Sequence, residues 1–152
     1  MALRAEEAEA ALIQSVCDRL REDIPSELVH EREAFVRQFY HWVPLEDLAE
    51  RSTRDLCGAA MAVRDFARNR TAGSDSVRAY NPRLGEHGWK STNTIVEVVT
   101  DDMPFLVDSV GMELSRSGYG IQLSIHPVID VLRDADGRLV GVFPPGAGCM
   151  AR

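Results

Sequence analysis

The run Thr94-Ile-Val-Glu-Val-Val-Thr-Asp-Asp-Met-Pro-Phe-Leu-Val-Asp-Ser-Val110 constrains the fold more than any other part of the chain. Its opening residues are rich in β-branched side chains, which predicts a strand over Asn93–Thr100. Two acids and a Pro end that strand. Leu106, Val107, Val110 and Leu114 then recur at helical spacing. Gly118 stands where a left-handed C′ residue closes a helix. A strand that turns at once into a helix aims the helix N-terminus at one spot. Small α+β regulatory domains meet ligands or partner subunits at corners of this kind.

Downstream, Ile121, Leu123, Ile125, Ile129 and Val131 alternate with Gln122, Ser124, His126 and Asp130. Period two predicts a strand with one buried face. Asp134-Ala-Asp-Gly137 is a turn signal, and Arg138–Phe143 is expected to return as the hairpin partner. Pro127 cannot donate to a ladder, so it belongs on a sheet edge or at a bulge. The order β-α-β-β is that of a ferredoxin-like unit lacking its last helix and strand. In that topology the absent strand would pair with the first, so Thr94–Thr100 is expected to be an open edge unless Val77–Tyr80 covers it. Open apolar edges recruit other chains, which predicts self-association there.

The first half reads as helix. Leu12, Ile13, Val16 and Leu20 share one face of a helix over Ala5–Arg21. Pro25-Ser26 opens a second helix, with Leu28, Val29, Val36, Phe39 and Tyr40 along one side. Pro44 suits a first helical position, ahead of a short helix over Leu45–Glu50. Ser52 and Asp55 form the start of a longer helix to Asn69, a capping box with Asp in place of Glu or Gln. Leu56, Ala60, Val63, Phe66 and Ala67 give it an apolar stripe. The polar stretch Thr71–Ser76 is the linker candidate. The expected class is therefore α+β: a helical region over 1–72, an antiparallel β-α-β-β module over 77–143, and a disordered tail over 144–152.

Composition narrows the function classes. A chain of 152 residues, 45% apolar and 27% charged, reads as a soluble globular protein. Its apolar runs are far shorter than the ~20 residues a spanning helix needs. The acidic start Met1-Ala-Leu-Arg-Ala-Glu-Glu lacks the apolar core of a secretory signal. Cys17, Cys57 and Cys149 are odd in number and widely spaced, which fits a reducing cytoplasm better than a disulfide framework or zinc site. A net charge of −7 argues against a nucleic-acid partner. The dense basic spot Arg64, Arg68, Arg70 falls at a helix end, where cations complement the dipole.

No catalytic or metal constellation stands out. Asp101 and Asp102 are open to three functional readings: an anchor for a ligand amine, a metal site, or an acid/base pair. Against these stands a cap for the following helix, since Asp accepts from free first-turn N–H groups. The cap is the favoured reading, because sequence neighbours at a strand end point apart. Gly118-Tyr-Gly120 precedes a strand rather than a helix and so is no dinucleotide fingerprint. The four His have no ligand spacing, and no Gly-x-Ser-x-Gly elbow or Cys-His motif occurs.

Residues Ser91-Thr92, Thr94–Val110 with its unbroken Asp-Asp-Met-Pro-Phe-Leu-Val-Asp-Ser-Val, Ile125-His-Pro-Val128 and Arg133-Asp-Ala-Asp-Gly-Arg-Leu139 resemble the N-terminal ACT-like region of large bacterial NAD-dependent glutamate dehydrogenases. The likeness extends upstream through Phe39-Tyr40, Glu46-Asp-Leu-Ala-Glu-Arg51 and Ala79-Tyr-Asn-Pro82, covering most of the chain after Phe35. The resemblance implies a cytoplasmic parent enzyme that oxidises L-glutamate to 2-oxoglutarate and ammonia with NAD, its catalytic and NAD-binding regions lying downstream. It implies that this chain is a regulatory or assembly fragment that ends before the module's last helix and strand, with no catalytic, cofactor or metal residue of its own. The rest of the parent enzyme would be its partner. ACT modules hold amino-acid effectors near the loop between first strand and first helix, which maps onto Asp101, Asp102, Met103, Pro104 and Phe105. A small residue, usually Gly, tends to follow the Pro in such modules; bulky Phe105 stands here instead and is expected to fill the effector space.

Overall fold

The computed structural model describes residues 2–144. Four helices come first: α1 (Ala2–Asp23), α2 (Ser26–Tyr40), α3 (Leu45–Ala49) and α4 (Thr53–Phe66). Their apolar stripes meet in one core of Val16, Cys17 and Leu20 from α1, Phe35, Val36, Phe39 and Tyr40 from α2, Leu48 from α3, and Leu56, Cys57 and Ala60 from α4. Leu28, read as part of the α2 stripe, is 39% exposed; the buried side of α2 begins at Phe35. The Tyr40 ring is buried with its polar end satisfied, because its hydroxyl donates to the Leu56 carbonyl at 2.6 Å. Ser52 caps α4 as expected, accepting from the Asp55 N–H. Arg64, on α4, is held by Glu31 of α2 at 3.1 Å and by Asp65, so the basic spot at this helix end is largely committed to ion pairs.

Strand β1 (Ser76–Tyr80) pairs antiparallel with β2 (Ile95–Val99), placing Arg78 opposite Glu97 and Val77 opposite Val98. Val77–Tyr80 thus covers one edge of β2. Along its other edge β2 has no ladder partner among the described residues. The pair carries its polar side inward. Glu97, 5% exposed, accepts from the Tyr80 hydroxyl at 2.9 Å and pairs with Arg78. Arg78 also donates to the Ala62 carbonyl of α4 and lies 4.4 Å from the centre of the Phe66 ring. Val77, Val96 and Val98 lie on the opposite, exposed face.

Between the strands, the one-turn helix α5 (Leu84–His87) leads to Trp89. Trp89 is buried directly on Gly58 of α4: a Cβ at Gly58 would overlap the Trp89 Cβ, Cγ and Cδ1. The next N–H, of Lys90, donates to Asp55 at the start of α4. Gly58 is therefore glycine because the backbone next to Trp89 comes too close for a side chain.

Helix α6 (Leu106–Arg116) follows β2. It closes as expected through Gly118, at φ 85°, with Tyr119 N–H donating to Leu114 O and Gly118 N–H to Ser115 O. These are the two bonds of a Schellman ending.

The strand expected over Ile121–Val131 is the main departure. Only β3 (Val131–Arg133) forms, paired with β4 (Leu139–Val142) around the expected Asp134–Gly137 turn. Residues 121–130 keep the period-two burial, and Leu123, Ile125 and Ile129 pack on the helical core. They nevertheless join no ladder. Pro127 removes a donor from the middle of the segment. The antiparallel pairing is consequently divided between two two-stranded sheets, β1–β2 and β3–β4. The second sheet is bound to the helical region: Leu139 N–H donates to Arg68 O at 2.7 Å and Arg70 N–H to Gly137 O at 3.0 Å, while Gln38 donates to Phe143 O. The α+β class, helices first and a small antiparallel β unit after, is the one read from the sequence. Beyond Pro144 the expected tail lies outside the described residues.

Candidate functional site

The β2–α6 corner is built from both sides of the chain. The carboxylate of Asp101 meets Arg70 Nη1 at 2.9 Å. The Arg70 hydrogen bond and positive charge hold the Asp101 carboxyl below its usual range. Arg70 is itself fixed, its Nε donating to the Ser74 carbonyl at 2.8 Å, and its Nη2 is buried without a hydrogen-bond partner among the described residues. Beside it lies Arg133, whose guanidinium donates to the carbonyls of Ala67 (2.8 Å), Gly137 (2.9 Å) and Arg68 (3.3 Å). Burial, then the Arg70 charge, lower the pKa of Arg133. Arg133 thus satisfies the carbonyls that end α4, where a cation is favoured.

The capping role expected of the two acids is not what forms. The N-cap position of α6 belongs to Phe105, and no side chain caps it. The chain needs five residues, Thr100–Pro104, to turn from β2 into α6, which places both acids too early to reach the first-turn N–H groups. Asp101 goes instead to Arg70. Asp102, Met103, Pro104 and Phe105 are all exposed and enclose nothing.

Phe105 also departs from expectation. It does not fill an internal space: it is 77% exposed. Its φ is +62°, in the left-handed region, and it has the positive φ among described non-glycine residues. That explains why a Gly suits the position after the Pro, and it makes a bulky residue there strained. In the sequence Arg70 belongs to the basic spot with Arg64 and Arg68, and Arg133 stands just before the Asp134–Gly137 turn. Their convergence depends on β4 folding back beside residues 68–70, for which the sequence carries no local signal.

Among the described residues no three His, Cys, Asp or Glu side chains are grouped so as to hold a metal ion. No helix there is long and apolar enough to cross a membrane. Gly118 ends a helix instead of opening one, which is not the strand–glycines–helix order of a dinucleotide fingerprint.

The architecture is that of a small α+β module of the ACT-like kind, joined to an N-terminal helical layer. Residues 35–150 match the family model described as glutamate dehydrogenase, ACT1 domain. The chain belongs to that family. It is 41% identical over 140 residues, 92% of its length, to an NAD-specific glutamate dehydrogenase of Halomonas elongata. It is also 41% identical over 113 residues, 74% of its length, to an NAD-specific glutamate dehydrogenase of Pseudomonas aeruginosa. The matched stretches are 9% and 7% of those relatives, so the chain spans less than a tenth of their length. No solved structure matches it.

Proposed function

We propose that this chain is the regulatory and assembly portion near the N-terminus of a cytoplasmic NAD-dependent glutamate dehydrogenase. The parent reaction converts L-glutamate, NAD and water to 2-oxoglutarate, ammonia and NADH. The carrying observation is the 41% identity over 92% of this chain to a far longer NAD-specific glutamate dehydrogenase. In this reading the chain contributes no catalytic group. It packs against the rest of the enzyme and associates with other copies, the remaining edge of β2 within Thr94–Thr100 being one available surface. The test compares the whole enzyme with a form lacking residues 1–152. Loss of assembly or of effector response, with glutamate oxidation retained, is expected. Reduction of NAD by the isolated chain with glutamate would overturn the assignment.

A second reading, amino-acid sensing at Asp101–Phe105, is favoured by one observation. Arg70 keeps a buried donor, Nη2, without a hydrogen-bond partner among the described residues, next to the group that pairs with Asp101. An α-amino acid carries the matching carboxylate and ammonium groups. Isothermal titration of amino acids, glutamate included, into the chain and into its Arg70→Met variant tests it. Absence of heat with every amino acid refutes sensing by this chain.

A further inference from the structure

Helix α6 presents a face that no contact among the described residues covers. None of its residues is buried. Val107, Asp108, Gly111, Met112 and Ser115, with Ile121 beyond the helix, line an open groove of about 680 Å³. Val107, Met112 and Ile121 along it are 40%, 68% and 45% exposed. Large apolar side chains grouped this way mark a contact surface.

Gly111 is the second observation. A glycine inside a helix is less stable than alanine by about 1 kcal/mol. At Gly58 the neighbouring Trp89 requires it, but a Cβ at Gly111 would meet only Ile121 Cδ1, at an ordinary 3.8 Å. Packing within the chain does not need Gly111. Its missing side chain opens the floor of the groove, which is the usual means by which another backbone comes close.

We infer that this face of α6 is where a second copy of the chain docks its own α6, antiparallel, across a two-fold axis near Met112. The charges select this occupant and this direction. The helix bears Asp108 in its first turn and Arg116 in its last, four residues to either side of Met112. Antiparallel pairing about Met112 brings Asp108 of each copy toward Arg116 of the other, while a parallel pair would set like charges together. It also opposes the two helix dipoles. Arg116 is 78% exposed on its side chain, and its ion pair among the described residues is with the exposed Glu113 of its own helix, a surface pair weak enough to be exchanged. One surface supplying both halves of the contact is the requirement for a closed dimer.

This inference specifies the assembly part of the reading above, and the test separates the two. Sedimentation equilibrium of the 152-residue chain is compared for the native sequence, Asp108→Arg, Arg116→Asp and the double exchange. The expected result is a dimer that each single reversal weakens at least tenfold and the double exchange restores. A disulfide-linked dimer is also expected from Met112→Cys in a Cys149→Ser background, and not from a control cysteine at Val140, exposed but off α6. A dimer indifferent to all three charge variants, with no Met112→Cys crosslink, overturns the α6 interface while leaving self-assembly through another surface standing. A strict monomer at high concentration overturns both. Circular dichroism confirms that each variant is folded.

Discussion

Replacing Gly58 and Gly111 by alanine should change stability in opposite directions. Both lie inside helices, and on propensity alone each substitution should stabilise by about 1 kcal/mol. At Gly111 the new methyl meets only Ile121 Cδ1 at 3.8 Å, so that gain should appear. At Gly58 it would overlap Trp89 Cβ, Cγ and Cδ1. These atoms sit close to a backbone anchored by the Lys90 N–H bond to Asp55, so they cannot swing aside as a flexible chain end would. Overpacking of this kind costs about 1–3 kcal/mol. The net expectation for Gly58→Ala is a loss of up to ~2 kcal/mol. With roughly 2–4 °C per kcal/mol for a chain near this size, its midpoint should fall by several degrees while that of Gly111→Ala rises by a few. Urea and thermal unfolding followed by circular dichroism, in dilute protein so that association does not contribute, measure both. A double-mutant cycle adds a control: with Trp89→Gly, which removes the overlapping Cβ as well as the ring, the penalty at Gly58 should vanish and the propensity gain return. If Gly58→Ala stabilises the native chain as much as Gly111→Ala does, Trp89 does not rest on α4 and the reasoning fails.

Two further outcomes follow from the ion pairs. Glu97 is nearly enclosed whereas the Arg78 side chain is 37% exposed. Arg78→Leu, which strands a buried carboxylate, should therefore cost more than Glu97→Leu, which leaves an arginine able to reach water. About 3 kcal/mol is expected for the first and roughly half that for the second; equal losses in urea unfolding would count against the buried position of Glu97. At the corner, Arg70 lowers the Asp101 pKa, so the stabilisation from this pair is present above the ordinary carboxylate value of 3.8 and fades as pH falls through the depressed folded value. Carboxyl carbon NMR should give Asp101 a midpoint below 3.8 that Arg70→Met returns to the ordinary range; a native midpoint at or above 3.8 would remove the pair from the solution structure.

What was legible in the sequence was local. The helix stripes, the Ser52 cap, the Gly118 ending and the Asp134–Gly137 turn each depend on residues a few positions apart; the cap, the ending and the turn form as read, and so do the stripes except at Leu28 of α2 and on α6, which buries none of its residues. The β2–α6 corner was also placed correctly by its Pro and its change of period. What escaped depends on distant chain. Period two across 121–130 reports which side chains face the core, and Leu123, Ile125 and Ile129 do face it, while Ile121 stays 45% exposed. It does not report whether a ladder partner lies alongside, and there Pro127 and the pairing of β4 with residues 68–70 decide. Asp101 read as a cap because its nearest candidates were local N–H groups. Its actual partner, Arg70, is thirty-one residues away. The inward polar face of β1–β2 was hidden for a related reason: Glu97 looks like an exposed strand residue until Arg78 and Tyr80 are set against it by the strand register.

The meeting of Arg70 with Gly137 has a consequence for the order in which the chain can acquire its shape. The two residues are neighbours in space, so the chain between them, which carries β1, β2, α6 and β3, leaves and returns beside the end of α4. A Cβ at Gly137 would overlap the Arg70 carbonyl, so the closure is tight. Closing a loop of this length costs only slightly more than closing one half as long. The excursion can therefore lengthen or shorten in evolution with little penalty at its neck. The helical layer with its returning hairpin is then the frame, and the strand-to-helix corner is cargo carried on it.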